Sequence, residues 1–573
     1  MRVRTTQRHP IGSVWAPDAE RVQLVVQGRH RALRPDGGWW VNDEPLPAGT
    51  RYCFDVDARR STDPRSRWQP DGPEGDSAVD DPSSFEWTDD GWQPPPWRDA
   101  VVYEIHVGTF SEAGTFRGAI DHLDHVAALG VTHVELMPVN AWTGRFGWGY
   151  DGACWWSPHP AYGTPDDLRA LVQACHSRGL AVLLDVVHNH FGPVGAAAPG
   201  LGPYLTDAYR TPWGPAINLD GPGSDEVRSF ICENAAMWVR DHHVDGLRLD
   251  ACHALVDTSS VHLLEALGHV GRQLSHELGR HVALVAEWDR NDPRVVDDPA
   301  RGGYGLTAHW ADELHHALHV TTSGEHSGYY QDFEDGDVAE ALQHAYVARG
   351  RFSPTRGRTH GRSPDGRPSD RFVVALQNHD QIGNRARGDR LHTVVGTGPT
   401  MAAAALVLLS PYVPLVFQGE DWAASTPFPY FADHGGDLGD AVRRGRFAEF
   451  AAFGWTEDQV PDPTAATTFD GARLDWAERD RPPHATVHEW YRSLLALRRS
   501  HADLRGGGDR PTVEEDDRLV VMRRGRFRVV ANLSERPRAV AAGDVVLAMS
   551  GVERRGSERV DLPAGTAAVL DDH

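Results

Sequence analysis

The sequence predicts an α/β fold, a (β/α)8 (TIM) barrel carried between an amino-terminal and a carboxy-terminal β-sandwich. Three observations predict it. Between Val101 and Gln418, eight short runs rich in Val, Ile and Leu alternate with helical patterns. Nearly continuous apolar strands covered by helices are parallel strands buried on both faces, and eight of them close a barrel. Before and after this region the chain breaks into short β-like runs separated by Gly, Pro and Asp, the pattern of small antiparallel sandwiches. The 573 residues give room for all three units at roughly 150 residues per domain.

In chain order, residues 11–17, 21–26, 39–42 and 51–56 are the expected strands of the first sandwich. A Pro-, Asp- and Ser-rich stretch, 61–97, ends in Pro94-Pro95-Pro96 and reads as a surface connector. Residues 1–97 therefore form the first unit. Barrel strands are expected at 101–107, 131–139, 180–187, 244–250, 281–288, 305–310, 372–377 and 412–418. They lie within a barrel unit spanning 98–505, with an inserted loop at about 188–224 after the third strand. One intervening helix shows the logic. Thr164 can cap it, Pro165 suits its first turn, and Asp166 and Asp167 complement its dipole. Leu168, Leu171, Val172 and Cys175 then recur at i, i+3, i+4 and i+7, and Gly179 ends it before the third strand. Residues 115–130 repeat this plan ahead of the second strand. The longest apolar run, 401–409, stops at Ser410-Pro411; it is too short for a membrane span and reads as a buried helix followed by a buried strand. Segment 353–370 is rich in Arg, Gly, Pro and Ser. It reads as a mobile surface loop, with a lid or substrate contact as the alternative. Strands at 519–523, 526–532, 539–546 and 567–570 make the last sandwich, residues 506–573.

Composition excludes several chemistries. The 57 basic and 81 acidic side chains give a formal charge of −24, and every basic residue is arginine. Without lysine there is no phosphate-binding P-loop, no Schiff-base or pyridoxal chemistry and no kinase of the usual plan; codon bias toward arginine accounts for the absence. An acidic chain also lacks the basic face of a nucleic-acid binder. Five cysteines without CxxC spacing (53, 154, 175, 232 and 252) and an amino terminus without an apolar h-region point to reduced thiols in a cytoplasmic protein. No membrane association is expected, and nothing in the sequence sets the oligomeric state.

Functional groups in such barrels gather where strands end. The third strand candidate leads into Asp185-Val186-Val187-His188-Asn189-His190, the fourth carries Gly246-Leu247-Arg248-Leu249-Asp250, the fifth ends Ala286-Glu287-Trp288, and the seventh ends Gln377-Asn378-His379-Asp380. Charges this deep in apolar strands are costly unless paired or used. The set suits glycoside hydrolysis, which in its retaining form needs two carboxyl groups about 5–5.5 Å apart. Asp250 and Glu287 lie on adjacent strands. Arg248, two residues before Asp250, shares its face and would keep it ionised as a nucleophile. Glu287 must begin protonated, through burial and carboxylate neighbours; Asp380 can be such a neighbour and can also hold sugar hydroxyls. His190 and His379 suit hydrogen bonds to the sugar. Trp148, Tyr150, Trp213 and Trp310 offer faces for pyranose stacking, with loop packing as the other reading for Trp213.

Asp185 with Asn189-His190, Gly246-Leu247-Arg248-Leu249-Asp250, Glu287 and Asn378-His379-Asp380 resemble, in order, the four conserved regions of the α-amylase family of glycoside hydrolases. The resemblance implies that Asp250 is the nucleophile, Glu287 the general acid/base and Asp380 the transition-state stabiliser. It also implies that Tyr150 stacks on the sugar at the cleavage point. Within the family, the chain is similar to the trehalose-releasing group. The similarity lies in the segments around Tyr103-Glu104-Ile105-His106, Trp288-Asp289-Arg290-Asn291-Asp292-Pro293, His309-Trp310-Ala311-Asp312-Glu313 and Trp422-Ala423-Ala424-Ser425. That likeness implies a maltooligosyltrehalose substrate cut at the α-1,4 bond next to its terminal trehalose, a carbohydrate-binding-module-like first sandwich, and contacts from Asp312 and Glu313 to the trehalose end. His253 and Asn378 complete the expected substrate contacts. The sequence departs from this pattern at Gln418, where Met is expected, and at Asp421, where Glu is expected; both could tune the pocket.

Other readings are weaker. His188-Asn189-His190 spells a nuclease-like tripeptide without a supporting zinc framework. His242-His243 and His315-His316 are adjacent on helices and face apart, so solvated or supporting histidines are expected rather than metal ligands. Some relatives bind calcium through the residue matching Asn189, but the short loop here predicts no required metal, and no cofactor is expected. Met237, Trp238 and Cys252 read as core. An α-glucan branching transferase is the alternative enzyme, sharing the covalent intermediate and differing in the acceptor. A catalytically dead glucan-binding protein should have lost one of the three carboxylates, and all three are present.

Overall fold

In the computed structural model, which describes residues 5–451 and 455–572, eight parallel strands close into a barrel. They are β1 (Val102–Ile105), β2 (His133–Leu136), β3 (Ala181–Val186), β4 (Gly246–Leu249), β5 (Ala283–Ala286), β6 (Ala308–Trp310), β7 (Phe372–Ala375) and β8 (Val413–Phe417). Each falls inside a predicted run. The order is sequential, and β8 pairs back to β1. Residues 1–4 of the amino-terminal stretch lie outside the described residues.

Alternation along the strands divides the barrel into an apolar lumen and a charged rim. Val102, Leu183, Ala283, Val285, Ala308, Val373, Val413 and Leu415 pack as one inward-facing cluster. One step further along the same faces come Glu104, Asp185, Arg248 and Glu287. Register places Glu104 beside Glu135 and Asp185 beside Arg248. The opposite strand faces join a second, larger core with the surrounding helices.

The helices follow the sequence signals. In α1 (Pro165–His176), Thr164 and Asp167 form a reciprocal capping box, which satisfies two otherwise orphaned N–H groups. α2 (Ser224–Asp241) buries Met237 and Trp238, and α3 (Leu263–Leu278) and α4 (Glu313–Ser323) follow β4 and β6. The 401–409 run lies in α5 (Thr397–Leu408) except for Leu409, which caps it, and the last nine residues of the helix are all buried. It is apolar all round because it packs both against β-strands of the carboxy-terminal region and against the helix His484–Ser500. No helix among the described residues is long and apolar enough to cross a membrane.

Before the barrel lie a three-stranded and a five-stranded antiparallel sheet, and after it a five-stranded and a three-stranded one. Four strands of the first pair, Arg29–Ala32, Arg34–Asp36, Arg59–Ser61 and Ser77–Ala78, lie outside the expected runs, the last of them inside the stretch read as a surface connector. The strand expected at 539–546 is two strands in different sheets, Arg538–Ala541 and Asp544–Ala548, with the break at Ala542-Gly543. The loop after β3 carries a hairpin, Leu205–Thr211 with Gly214–Ile217, and Trp213 sits in its turn.

Candidate active site

Arg248 is the hub. Its Nη1 donates to Asp185 Oδ2 at 2.7 Å and to Asp250 Oδ1 at 2.8 Å, and its Nη2 donates to Glu287 Oε2 at 2.9 Å. Gly246 lets β4 approach β5, since a β-carbon there would come within 2.3 Å of the Ala283 carbonyl. Past Asp250 the chain turns through Ala251 at φ +37°, a left-handed conformation that a non-glycine residue adopts at a cost. That turn aims the Ala251 N–H at Glu287 Oε2, 2.7 Å away. Asn189 Nδ2 donates to Asp250 Oδ2 at 2.6 Å and to its carbonyl at 3.0 Å.

The two carboxyl groups are driven apart. Burial opposes ionisation of Asp250, but Arg248, His190 and Asn189 outweigh it and hold its pKa below the ordinary value. Glu287 goes the other way. Burial is the largest cause, and the Asp250 and Asp380 charges add to it against Arg248, so its pKa is well raised. The two carboxyl groups are thus pushed toward opposite protonation states beside a single guanidinium, the division of labour that acid-assisted nucleophilic displacement requires.

Behind them runs a chain of polar groups. His379 Nδ1 meets Glu104 Oε1 at 2.5 Å and its Nε2 meets the Tyr150 hydroxyl at 2.8 Å, which donates to Asp185 Oδ2 at 2.8 Å. Burial disfavours the His379 imidazolium, but the Glu104 carboxylate overrides it and raises the pKa to about 9. Asp185 is pushed up to about 6, by burial first and by Asp250 next, against Arg248. Glu135 is raised well above its ordinary value by burial and by Glu104. Glu104 and Glu135 were not singled out from the sequence. The available signal was a glutamate inside each of two otherwise apolar strands.

The predicted sugar contacts divide. Trp213 is 46% exposed and lies flat on His190, with ring centroids 4.7 Å apart and planes 4° apart; its outer face is open. Burial keeps the His190 pKa low. Trp148 and Trp310 do not offer free faces. Trp148 is 5% exposed and stacks on Phe428. Trp310 is 4% exposed and covers the Arg248 guanidinium at 4.2 Å, where it shields that charge from water. Asn378 is buried and accepts from the Asp380 N–H as a helix cap. Glu313 accepts the Val347 and Ala348 N–H groups at 2.6 and 2.8 Å. Both therefore shape loops rather than reach toward solvent. His253 lies 3.6 Å from Asp289. Asp380 accepts from Asn384 Nδ2 at 3.0 Å.

Next to Glu287 a cavity of about 220 Å³ is lined by Trp288, Asp289, Asp312, His316, Tyr329 and Arg356, among others. The Asp312 pKa is raised to about 7 by burial and by the Asp380 charge. Segment 353–370 enters here. Strand Arg351–Ser353 turns back as Arg358–His360, Asp332 accepts the Thr355 N–H at 2.9 Å, and Arg356 reaches Asp289 at 3.2 Å. The tip of the segment is thus part of the cavity wall.

Gln418 and Asp421 are wholly buried. Gln418 bonds the His106 N–H and Thr109 Oγ1, both at 2.9 Å. Asp421 accepts from Tyr103 at 2.9 Å and meets His125 at 2.8 Å and His488 at 3.2 Å. They brace the end of β8 from within. Of the histidine pairs, His242 and His315 are buried rather than solvated; His315 is on α4, whereas His242-His243 lies just past the end of α2 rather than on a helix, and His243 pairs with Asp89. Cys252 is buried and donates to the Leu249 carbonyl.

Residues 82–197 match the family model of the α-amylase catalytic domain. Over 571 residues the chain is 45% identical to the malto-oligosyltrehalose trehalohydrolase of Mycobacterium tuberculosis, covering 97% of this chain and 98% of the relative. It is 46% identical over 570 residues to the protein of the same name from Arthrobacter ramosus, with 97% and 98% covered. A crystal structure described as an alpha amylase from Salmonella typhimurium superposes with a TM-score of 0.89 at 37% identity, covering 97% of each chain. Likeness to a Rhizobium johnstonii 1,4-alpha-glucan branching enzyme is weaker, 29% identity over 59% of this chain and 52% of the relative.

Proposed function

The chain belongs to the malto-oligosyltrehalose trehalohydrolases, glycoside hydrolases of the α-amylase family, and from that premise we infer which of its groups carry the reaction. Asp250 attacks the anomeric carbon of the glucose at the cleavage point. Glu287 donates its proton to the oxygen leaving with trehalose. The C–O bond to trehalose breaks as the bond to Asp250 forms. Water then attacks the glycosyl-enzyme ester, Glu287 takes its proton, and the sugar leaves with net retention. Arg248 keeps Asp250 ionised, and Asp380 faces the positive charge that develops on the sugar ring. Tyr150, His190, His379 and Trp213 hold that sugar. The trehalose end lies in the cavity walled by Asp312, His316, Tyr329 and Arg356, with Glu313 fixing its loop.

The observation that carries this reading is the placement of Asp250 and Glu287 on one guanidinium, in surroundings that push their pKa values in opposite directions. The full-length similarity to trehalohydrolases, against a partial one to a branching enzyme, favours water as the acceptor. Residues 1–97, 98–505 and 506–573 are read as the three units, on the separate sheets that flank the barrel. Five free, buried cysteines support a reducing, cytoplasmic setting. The test is incubation with maltooligosyltrehalose and sugar analysis. Trehalose plus a maltooligosaccharide supports the reading; α-1,6 branch points on amylose without trehalose refute it.

A further inference from the structure

At the end of the barrel opposite Glu287, a crevice of about 250 Å³ opens between α3 and the starts of β5 and β6. The reaction derived above uses none of its residues. Its polar side chains are Arg272, Ser275, His281, Thr307 and Arg371, and no carboxylate lines it. Elsewhere the arginines of this acidic chain commonly sit on acids, as Arg65 does on Glu233, Arg169 on Asp80 and Arg228 on Asp257. Here neither Arg272 nor Arg371 has an ion-pair partner among the described residues.

The two guanidiniums are nevertheless held in place. Arg272 Nη1 donates to the Gly305 carbonyl at 3.3 Å and Arg371 Nη1 to the Thr307 carbonyl at 2.8 Å. These carbonyls are two residues apart, so their α-carbons lie within about 7 Å. Each fork is fixed by one N–H and keeps other donors for a ligand. His281 stands beside them: burial lowers its pKa, and the Arg371 charge lowers it further. Two fixed guanidiniums and an imidazole around a concavity without a counter-charge match the geometry of oxyanion recognition, because the planar fork pairs with two oxygens at once.

We propose that this crevice binds a small dianion, inorganic phosphate or the phosphate group of a phosphorylated sugar, between Arg272 and Arg371. It would be a second ligand site, on the face of the barrel away from the catalytic carboxylates. The proposal is independent of the trehalohydrolase assignment.

The experiment is thermal unfolding and calorimetric titration of the full chain in an anion-poor buffer with inorganic phosphate, glucose 6-phosphate and glucose. The proposal expects a saturable rise in Tm with phosphate or glucose 6-phosphate and none with glucose. The rise should be lost in the Arg272→Gln/Arg371→Gln double variant and kept in Asp250→Asn. The stronger of the two phosphate ligands identifies the source. Turnover of the double variant in phosphate-free buffer should match the parent. If the double variant folds poorly, Arg272→Gln alone, at an exposed position, should weaken binding at least tenfold. Absence of saturable binding, or equal binding by parent and variants, overturns the proposal.

Discussion

Replacing Arg248 by Gln removes a buried cation that touches Asp185, Asp250 and Glu287 at 2.7, 2.8 and 2.9 Å. A unit charge at about 4 Å contributes about 4 kcal/mol at an effective dielectric of about 20. At about 1.4 kcal/mol per pKa unit, the Asp250 pKa should rise by up to about 3 units. Glu287 loses a neighbour that favours its ionised form and so is pushed further toward its protonated form. The nucleophile alone is disabled, and the acid limb of the pH–kcat/KM profile moves upward. At a pH two units above the parent's limb, kcat/KM should fall by roughly 10-fold or more for a limb shifted by 3 units. Unpairing buried carboxylates should also cost about 3–5 kcal/mol of stability, so circular dichroism and thermal unfolding must show that the variant is folded at the assay temperature. Arg248→Lys restores the charge without the fork and should place the limb between the two. A folded Gln variant whose acid limb coincides with the parent's would refute the argument that Arg248 sets the state of Asp250.

Three further outcomes follow from the same geometry. Glu287→Gln should lower turnover of maltooligosyltrehalose by roughly 100- to 10,000-fold while leaving attack on a glycosyl fluoride much less affected, since fluoride leaves without a proton; equal losses on both substrates would count against Glu287 as the acid. Trp213→Ala should raise KM with kcat and Tm little changed, because the ring is half exposed and stacks on His190; an unchanged KM in steady-state kinetics removes Trp213 from the sugar site. The His379 pKa, raised to about 9 above its unfolded value of about 6.5, means that its contribution to stability is full below pH 6.5 and is lost as pH rises through 9. Denaturant melts across that window should show the fall in the parent and a smaller one in Glu104→Gln.

Much of the barrel was legible because its strands are buried on both faces and therefore read as unbroken apolar runs. The same physics exposed the site: Asp185, Arg248 and Glu287 stand out where an uninterrupted strand ends in charge. Strand Arg29–Ala32 was illegible for the converse reason. All four of its residues are exposed, so neither apolar content nor alternation marks it. The run 539–546 is apolar enough to read as one strand, yet its halves pair in different sheets, which only the tertiary partners decide. Glu104 and Glu135 were legible in principle as acids in apolar strands, but their role depends on His379, which is far away in sequence. Trp148, Trp213 and Trp310 look alike in sequence. Packing alone determines that Phe428 and Arg248 occupy the faces of the first and last while Trp213 keeps one open.

The most direct test of the central claim, that Asp250 is the nucleophile and Glu287 the acid, is to find the covalent intermediate. The Glu287→Gln variant, given a maltooligosyl fluoride and quenched, should carry one glycosyl ester, and peptide mass spectrometry should place it on Asp250. An adduct on another carboxylate, or rapid turnover with inversion at the anomeric carbon and no adduct, would contradict the account.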